Sequence, residues 1–190
     1  MASDTRDRLV RTTSRLLRKQ GYGATGLNQV MSKAEAPKGS MYFHFPGGKE
    51  ELAAAAIDFF AQRVTRRLDD GIGAADSVAE AVASFLDDYI THFERTDFSE
   101  GCAVATVALD ASAAHEGLAA ATERALHTWT DHFAAALEAE GRTPAGAHGL
   151  ATLVVAAIEG AIVMGKGERS TEPMAATRDV LRKVLAPPLS

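Results

Sequence analysis

Ala36-Pro-Lys-Gly-Ser-Met-Tyr-Phe-His-Phe-Pro-Gly-Gly-Lys-Glu-Glu-Leu52 frames a short helical segment between two prolines and fills it with a lysine, a hydroxyl and an aromatic–histidine run. Pro37 suits the first turn of a helix, where its missing N–H is no loss. Pro46-Gly47-Gly48 cannot continue one, so a helix from Pro37 to Phe43 is confined to about two turns. Upstream, Leu27, Val30, Met31 and Ala34 recur at helical spacing, predicting a second short helix from Leu27 to Ala34 and a tight connection through Glu35-Ala36. Two short helices joined by so brief a turn can lay the second in a DNA major groove about 12 Å wide. Lys38, Gly39, Ser40, Tyr42 and His44 then supply donors and unencumbered backbone for phosphate oxygens and base edges.

Lys38-Gly-Ser-Met-Tyr-Phe-His-Phe45, followed by Lys49-Glu-Glu-Leu52, resembles the signature of the TetR family of transcriptional regulators. Gly101-Cys-Ala-Val-Ala-Thr-Val-Ala-Leu109 is similar to a motif of its LmrA/YxaF-like branch. The first resemblance covers residues 5–52; beyond them only length, helical pattern and the second motif agree. It implies an all-α homodimer. A three-helix head, residues 1–48, would bind a double-stranded DNA operator, and a helical body, residues 49–190, would dimerise and bind a small effector that releases the DNA. Carried onto this chain, the DNA-contacting residues are Thr25, Gln29, Lys38, Gly39, Ser40, Tyr42, His44 and Lys49. Two positions depart from the family pattern. Glu35 stands where glycine is usual, resisting a left-handed turn and adding negative charge beside DNA. Gly26 stands where a hydroxyl residue often opens the first short helix, which makes Thr25 the candidate cap and phosphate contact.

Charge is distributed accordingly. The net charge of -5 argues against a uniformly basic nucleic-acid binder. Residues 1–50, however, hold nine Lys/Arg against four Asp/Glu, net +5, leaving eleven against twenty-one, net -10, for the rest. A basic head on an acidic body is the layout expected when one end meets phosphate. The helix from Thr5 to Gln20 packs through Leu9, Thr13, Leu16 and Leu17, while Arg8, Arg11, Arg15 and Arg18 follow another face, equally suited to solvation or to approaching a DNA backbone.

Gly21-Tyr-Gly-Ala-Thr-Gly26 satisfies the glycine pattern of dinucleotide sites, but an arginine-rich amphipathic helix precedes it where such a site needs a buried strand. Gly21 reads as a helix C-terminal cap and Gly23 and Gly26 as loop positions. A nucleotide-binding enzyme using these glycines is the rival from another class; no catalytic residue and no cofactor are expected.

Downstream the pattern stays helical. Leu52, Ala56, Phe60, Val64 and Leu68 mark a long helix ending at Asp69-Asp70-Gly71-Ile72-Gly73, whose start near Gly48-Lys49 would present N–H groups and a lysine to phosphate. Val78, Val82, Phe85, Leu86, Tyr89, Ile90 and Phe93 form an apolar stripe, and Leu118, Thr122, Leu126, Trp129, Phe133 and Leu137 another. Phe60, Phe85, Tyr89, Phe93, Cys102, Thr106, Trp129 and Phe133 are the candidates to line an effector cavity for an apolar or aromatic molecule, and are equally good core residues. Residues 147–166 are apolar on nearly every face, over a stretch of about fifteen residues that falls short of a membrane span. With the helix ending near Leu137 they fit equally a core helix of a single chain or a four-helix dimer interface through Trp129, Phe133, Leu153, Ala157, Gly160, Ala161 and Met164, the latter being what the resemblance implies.

Cys102 is the only cysteine, which fits a reducing compartment. His127 and His132 point apart on a helix, and His92, His115 and His148 lack a partner at ligand spacing, so no metal is expected. No signal peptide or lipidation motif is evident, and the expectation is a cytoplasmic protein without a membrane partner. The expected function is a ligand-responsive repressor on a near-palindromic operator, with an activator of the same fold as the alternative.

Overall fold

The computed structural model describes residues 2–37, 39–110 and 115–186, which form helices joined by short connections, with no strand among them. α1 (Ala2–Gln20) turns Leu9, Val10, Thr13, Leu16 and Leu17 inward. It stops at Gly21, whose φ of 75° and N–H bond to the Leu17 carbonyl (3.0 Å) place it in the left-handed region that glycine enters without steric cost. There follow α2 (Leu27–Lys33), α3 (Ser40–His44), α4 (Gly48–Ala74), α5 (Val78–Thr96), α6 (Ala103–Asp110), α7 (Glu116–Ala139), α8 (Pro144–Glu168) and α9 (Glu172–Val184). α4 runs through Asp69-Asp70-Gly71-Ile72-Gly73 instead of ending there. The Ala75 N–H still reaches the Gly71 carbonyl at 3.1 Å, so the two glycines do not break the ladder.

Packing gathers the chain into two compact units, one reaching Arg63 and including Cys102–Ala125, the other comprising Val64–Gly101 and the chain from Leu126 onward. This division is not the one at residue 48: α6 and the start of α7 join the N-terminal helices. The core of the first unit is built from Leu9, Val10 and Leu16 of α1, Val30 and Ala34 at α2, Met41 and Phe45 at α3, and Leu52 of α4. Each helix contributes apolar residues at helical spacing to a common centre, and burial of this kind holds together elements too short to persist alone.

In the second unit α5 packs on α9 and α8, and α8 on α9. Ser77 caps α5 by accepting the Glu80 N–H (3.3 Å), and Thr143 caps α8 by accepting the Gly146 N–H (3.3 Å), with Pro144 in the first turn. Gly165 permits the close approach of these helices, for a Cβ there would meet Phe93, Met174 and the Ser170 carbonyl at 2.9 Å each. α8 is longer and more apolar than the sequence suggested. Its 25 residues include a window of mean hydropathy 1.8, enough by length and composition to cross a membrane. Only one face is packed: Ala151, Val154, Val155, Ile158, Ala161 and Ile162 are buried, while Leu153, Ala156, Gly160, Val163 and Met164 are exposed.

Candidate nucleic-acid interface

The interface is assembled from α2, the turn after it and α3. α2 ends in a Schellman arrangement: Glu35 donates its N–H to Ser32 (3.3 Å) and Ala36 to Met31 (3.1 Å). Glu35 adopts φ 49° in doing so, despite the steric resistance of a side chain there. Three contacts hold it. Met31 and Ala36 pack against the unit's core, and the Arg8 guanidinium donates to the Glu35 carbonyl at 3.4 Å. The turn that glycine usually makes is therefore formed with glutamate.

α3 is shorter than expected, beginning at Ser40 and not at Pro37. Pro37 sits in a preceding turn, where its carbonyl accepts both the Ser40 N–H (3.0 Å) and the Ser40 hydroxyl (2.8 Å). Met41 and Phe45, 3% and 1% exposed, plug α3 into the core and so fix its rotation. The opposite side presents Gly39, Tyr42 (64% exposed) and Phe43 (75%). Phe43 was not among the expected contacts, although its spacing of four from Gly39, away from Met41 and Phe45, placed it on the outward face. His44 is half-buried with its ring edge-to-face on Phe43, centroids 5.0 Å apart. Lys38 lies outside the described residues.

Other expected contacts are engaged elsewhere. Thr25 neither caps α2, whose N-cap is Gly26 without a side-chain bond, nor faces solvent; it is 2% exposed and donates its hydroxyl to the Gly21 carbonyl at 2.6 Å. Gln29 is half-buried and accepts from Gln20 at 2.9 Å. The start of α4 is served from within, since the Glu51 carboxylate accepts the Gly47 N–H at 2.7 Å. Lys49 lies over the Tyr22 ring, its ammonium 4.1 Å from the centroid. Burial pushes its pKa down, against an opposing pull from Asp110. The arginine track of α1 is likewise only partly solvated: Arg11 lies 5.9 Å from the Phe59 ring and Arg18 5.3 Å from that of Phe60.

Beside Lys49 the glycine-rich loop shows what its glycines serve. Asp110, the last residue of α6, accepts the Gly23 N–H at 2.7 Å, and a Cβ on Gly21 would sit 2.8 Å from the same carboxylate. Glu50 accepts the Gly117 N–H at 3.0 Å, and Tyr22 meets His115 edge-to-face at 5.0 Å. The loop follows a helix and is filled by a carboxylate, which is unlike a cradle for pyrophosphate.

The candidate effector residues divide between the two units. Phe60, Cys102 and Thr106 belong to the first, where the Thr106 hydroxyl donates to the Cys102 carbonyl at 2.6 Å. Phe85, Tyr89, Phe93, Trp129 and Phe133 belong to the second. There the Tyr89 ring is tilted against Phe85 (6.0 Å) and edge-to-face with Phe93 (5.6 Å), and Phe85 and Phe133 border a cavity of about 30 Å³ with Arg67, Ser84 and Asp88. That holds a water-sized occupant. Trp129 is buried, and its indole N–H has no hydrogen-bond partner among the described residues.

Of the expected dimer residues, Leu153, Gly160 and Met164 are exposed on α8 and Ala157 is half-buried. Trp129, Phe133 and Ala161, at 3%, 2% and 2% exposed, face their own unit's interior and do not belong to that surface. The exposed apolar side chains beside them are Val163 on α8 and Val180 and Val184 on α9. Among the described residues no cluster of three or more His, Cys, Asp or Glu is placed to hold a metal, and His132 has an acidic partner in Asp69 at 2.6 Å.

A helix-turn-helix with an outward-facing second helix, joined to an all-helical body, defines a DNA-binding transcriptional regulator. Residues 9–56 match the bacterial regulatory proteins of the tetR family, and residues 78–180 match the C-terminal domain of LmrA/YxaF-like transcriptional regulators. The chain belongs to the TetR family, with an LmrA/YxaF-like C-terminal domain. It is 33% identical to the HTH-type transcriptional regulator LmrA of Bacillus subtilis over 90% of this chain and 91% of that one. Its fold is similar to that of Escherichia coli NemR in its reduced form, with a TM-score of 0.87 at 22% identity, covering 98% and 100% of the two chains. It is similar too to a cysteine mutant of the TetR-family regulator CifR crystallised with a 26-bp operator duplex, with a TM-score of 0.80 at 22% identity over 94% and 95%.

Proposed function

We propose that the protein is a dimeric, ligand-responsive transcriptional repressor of the cytoplasm that sets α3 of each head into a major groove of a near-palindromic operator. The outward face of α3 carries this reading: an aromatic surface on a helix whose rotation is fixed from inside is costly to leave in water and is explained by a partner. Gly39 and Ser40 approach the base edges or adjacent phosphates, and Tyr42 and His44 hold backbone. Lys49 joins them only by leaving the Tyr22 ring. CifR, bound to its operator duplex, is the analogy from a protein of the same fold.

Two heads are joined through the exposed faces of α8 and α9, where Leu153, Gly160, Val163, Met164, Val180 and Val184 form an apolar surface suited to a second copy. A small apolar or aromatic effector enters the second unit among Phe85, Tyr89, Phe93 and Trp129, and releases the operator by favouring a spacing of the heads that no longer fits. A preference of about 1.4 kcal/mol makes that a tenfold effect.

Binding of the purified protein to DNA from upstream of its own coding region, measured over a range of salt, tests the reading. Sequence-selective affinity that falls steeply with salt and collapses in Tyr42→Ala supports it. Binding no tighter than to random duplexes, with an empty selection from fragmented genomic DNA, ends it. A promoter–reporter assay then separates repression from activation. Trp129 is the only tryptophan, so quenching of its emission is the direct readout for an effector screen.

A further inference from the structure

Tyr42 and Phe43 stand side by side on the outward face of α3 with different chemistry. Tyr42 carries a hydroxyl that can donate to a phosphate oxygen. Phe43 has no donor or acceptor, so it cannot hold the sugar–phosphate backbone by hydrogen bonding. It is nevertheless the more exposed of the two, at 75%, and the inward pair Met41 and Phe45 prevents α3 from rolling to hide it. Beside it Gly39 leaves bare backbone, and among the described residues none apart from its chain neighbours comes within 4 Å of the place a Cβ would occupy. A planar apolar ring next to an open strip of backbone can come close to a base while bringing no polar group of its own to be desolvated, and it fits best where the base offers an apolar group.

In the major groove every base presents hydrogen-bonding groups, and the apolar group among them is the C5 methyl of thymine. We propose that Phe43 is a specificity-determining residue that reads a thymine in each half-site by packing its ring on that methyl, while Tyr42 holds the neighbouring phosphate. The net positive charge of residues 1–50 brings the duplex to this face; Phe43 then discriminates among sequences where the basic groups cannot. The inference rests on the DNA-binding reading above and adds to it the residue and the base.

The test uses duplexes enriched from a random pool by the wild-type protein. Each thymine of a half-site is replaced singly by deoxyuridine, which keeps every hydrogen-bonding group and lacks only the methyl. At one position the replacement is expected to weaken wild-type binding about fourfold, and about fifteenfold when made in both half-sites, the loss for one buried methyl per head. Phe43→Ala is expected to bind the thymine duplex more weakly and to be indifferent to the replacement at that position. Phe43 is outside the core, so this variant keeps the fold, and the deoxyuridine series on the wild type needs no variant at all. Wild-type binding unchanged by deoxyuridine at every thymine overturns the assignment, as does a Phe43→Ala protein that remains as sensitive as the wild type. Failure of any sequence to enrich, with no salt-dependent binding, overturns the DNA-binding reading and this inference with it; enrichment followed by methyl indifference overturns the inference alone.

Discussion

Gly21 and Asp110 offer a sharp test of the physical account, because one glycine answers two separate demands. Its φ of 75° imposes on alanine a left-handed conformation costing about 1–2 kcal/mol, offset in part by the smaller entropy of the unfolded chain. The added Cβ would also lie 2.8 Å from the Asp110 carboxylate oxygen, forcing that side chain off the Gly23 N–H it holds at 2.7 Å. This hydrogen bond is solvent-exposed, so its loss is set near the lower end for a charged group, about 1 kcal/mol. Gly21→Ala should therefore cost about 2 kcal/mol in the wild-type background and about 1 kcal/mol when Asp110 is already alanine, a coupling of about 1 kcal/mol. Urea unfolding of the four proteins of the cycle, all at one protein concentration so that any self-association weighs equally on each, measures it. Equal costs in the two backgrounds would refute the claim that this glycine serves the approach of Asp110, leaving only the backbone conformation.

Gly165→Ala should destabilise by about 1–3 kcal/mol, since its methyl would meet Phe93, Met174 and a backbone carbonyl at 2.9 Å, and the carbonyl cannot rotate away; thermal unfolding detects it. Glu35→Gly should stabilise by no more than about 1 kcal/mol, relief of the left-handed strain at φ 49° being opposed by the greater freedom of glycine when unfolded. Burial and then the Glu50 carboxylate hold the Tyr22 phenol above its ordinary pKa of 10.0. With the folded value above the unfolded one, the stabilisation from neutral Tyr22 is complete below pH 10 and is lost as pH rises through the folded value. An ultraviolet titration should show a late tyrosinate component that Tyr22→Phe removes; its persistence in that variant would contradict the assignment.

Local pattern revealed the helices and the inward faces of the short ones. Leu9, Leu16 and Val30 were legible because helical spacing alone decides which side of an amphipathic helix is buried. Pro37 was ambiguous in principle, since a proline compatible with a helix start is equally compatible with a preceding turn, and here the Ser40 hydroxyl and N–H both favour the turn. In α8 the pattern is silent for a different reason. A helix apolar on every side carries no sequence signal for its buried face, so Ala161 and Met164 could not be told apart until α5 and α9 were in place. The engagements of Thr25 with the Gly21 carbonyl, in place of a cap on α2, and of Lys49 with the Tyr22 ring are loop and long-range contacts that no spacing rule contains. The bond from Asp110 to Gly23 spans 87 positions and left no local trace.

The first compact unit is discontinuous along the chain, and this bears on how the protein is made. Asp110 meets Gly23 and Gly117 meets Glu50 across separations of 87 and 67 residues. A nascent chain that has emerged only through α4 carries α1, α2 and α3 yet lacks the carboxylate for the Gly23 amide and the amide for Glu50. The regulator's DNA-reading head is thus finished only after α6 and the start of α7 have followed it out of the ribosome.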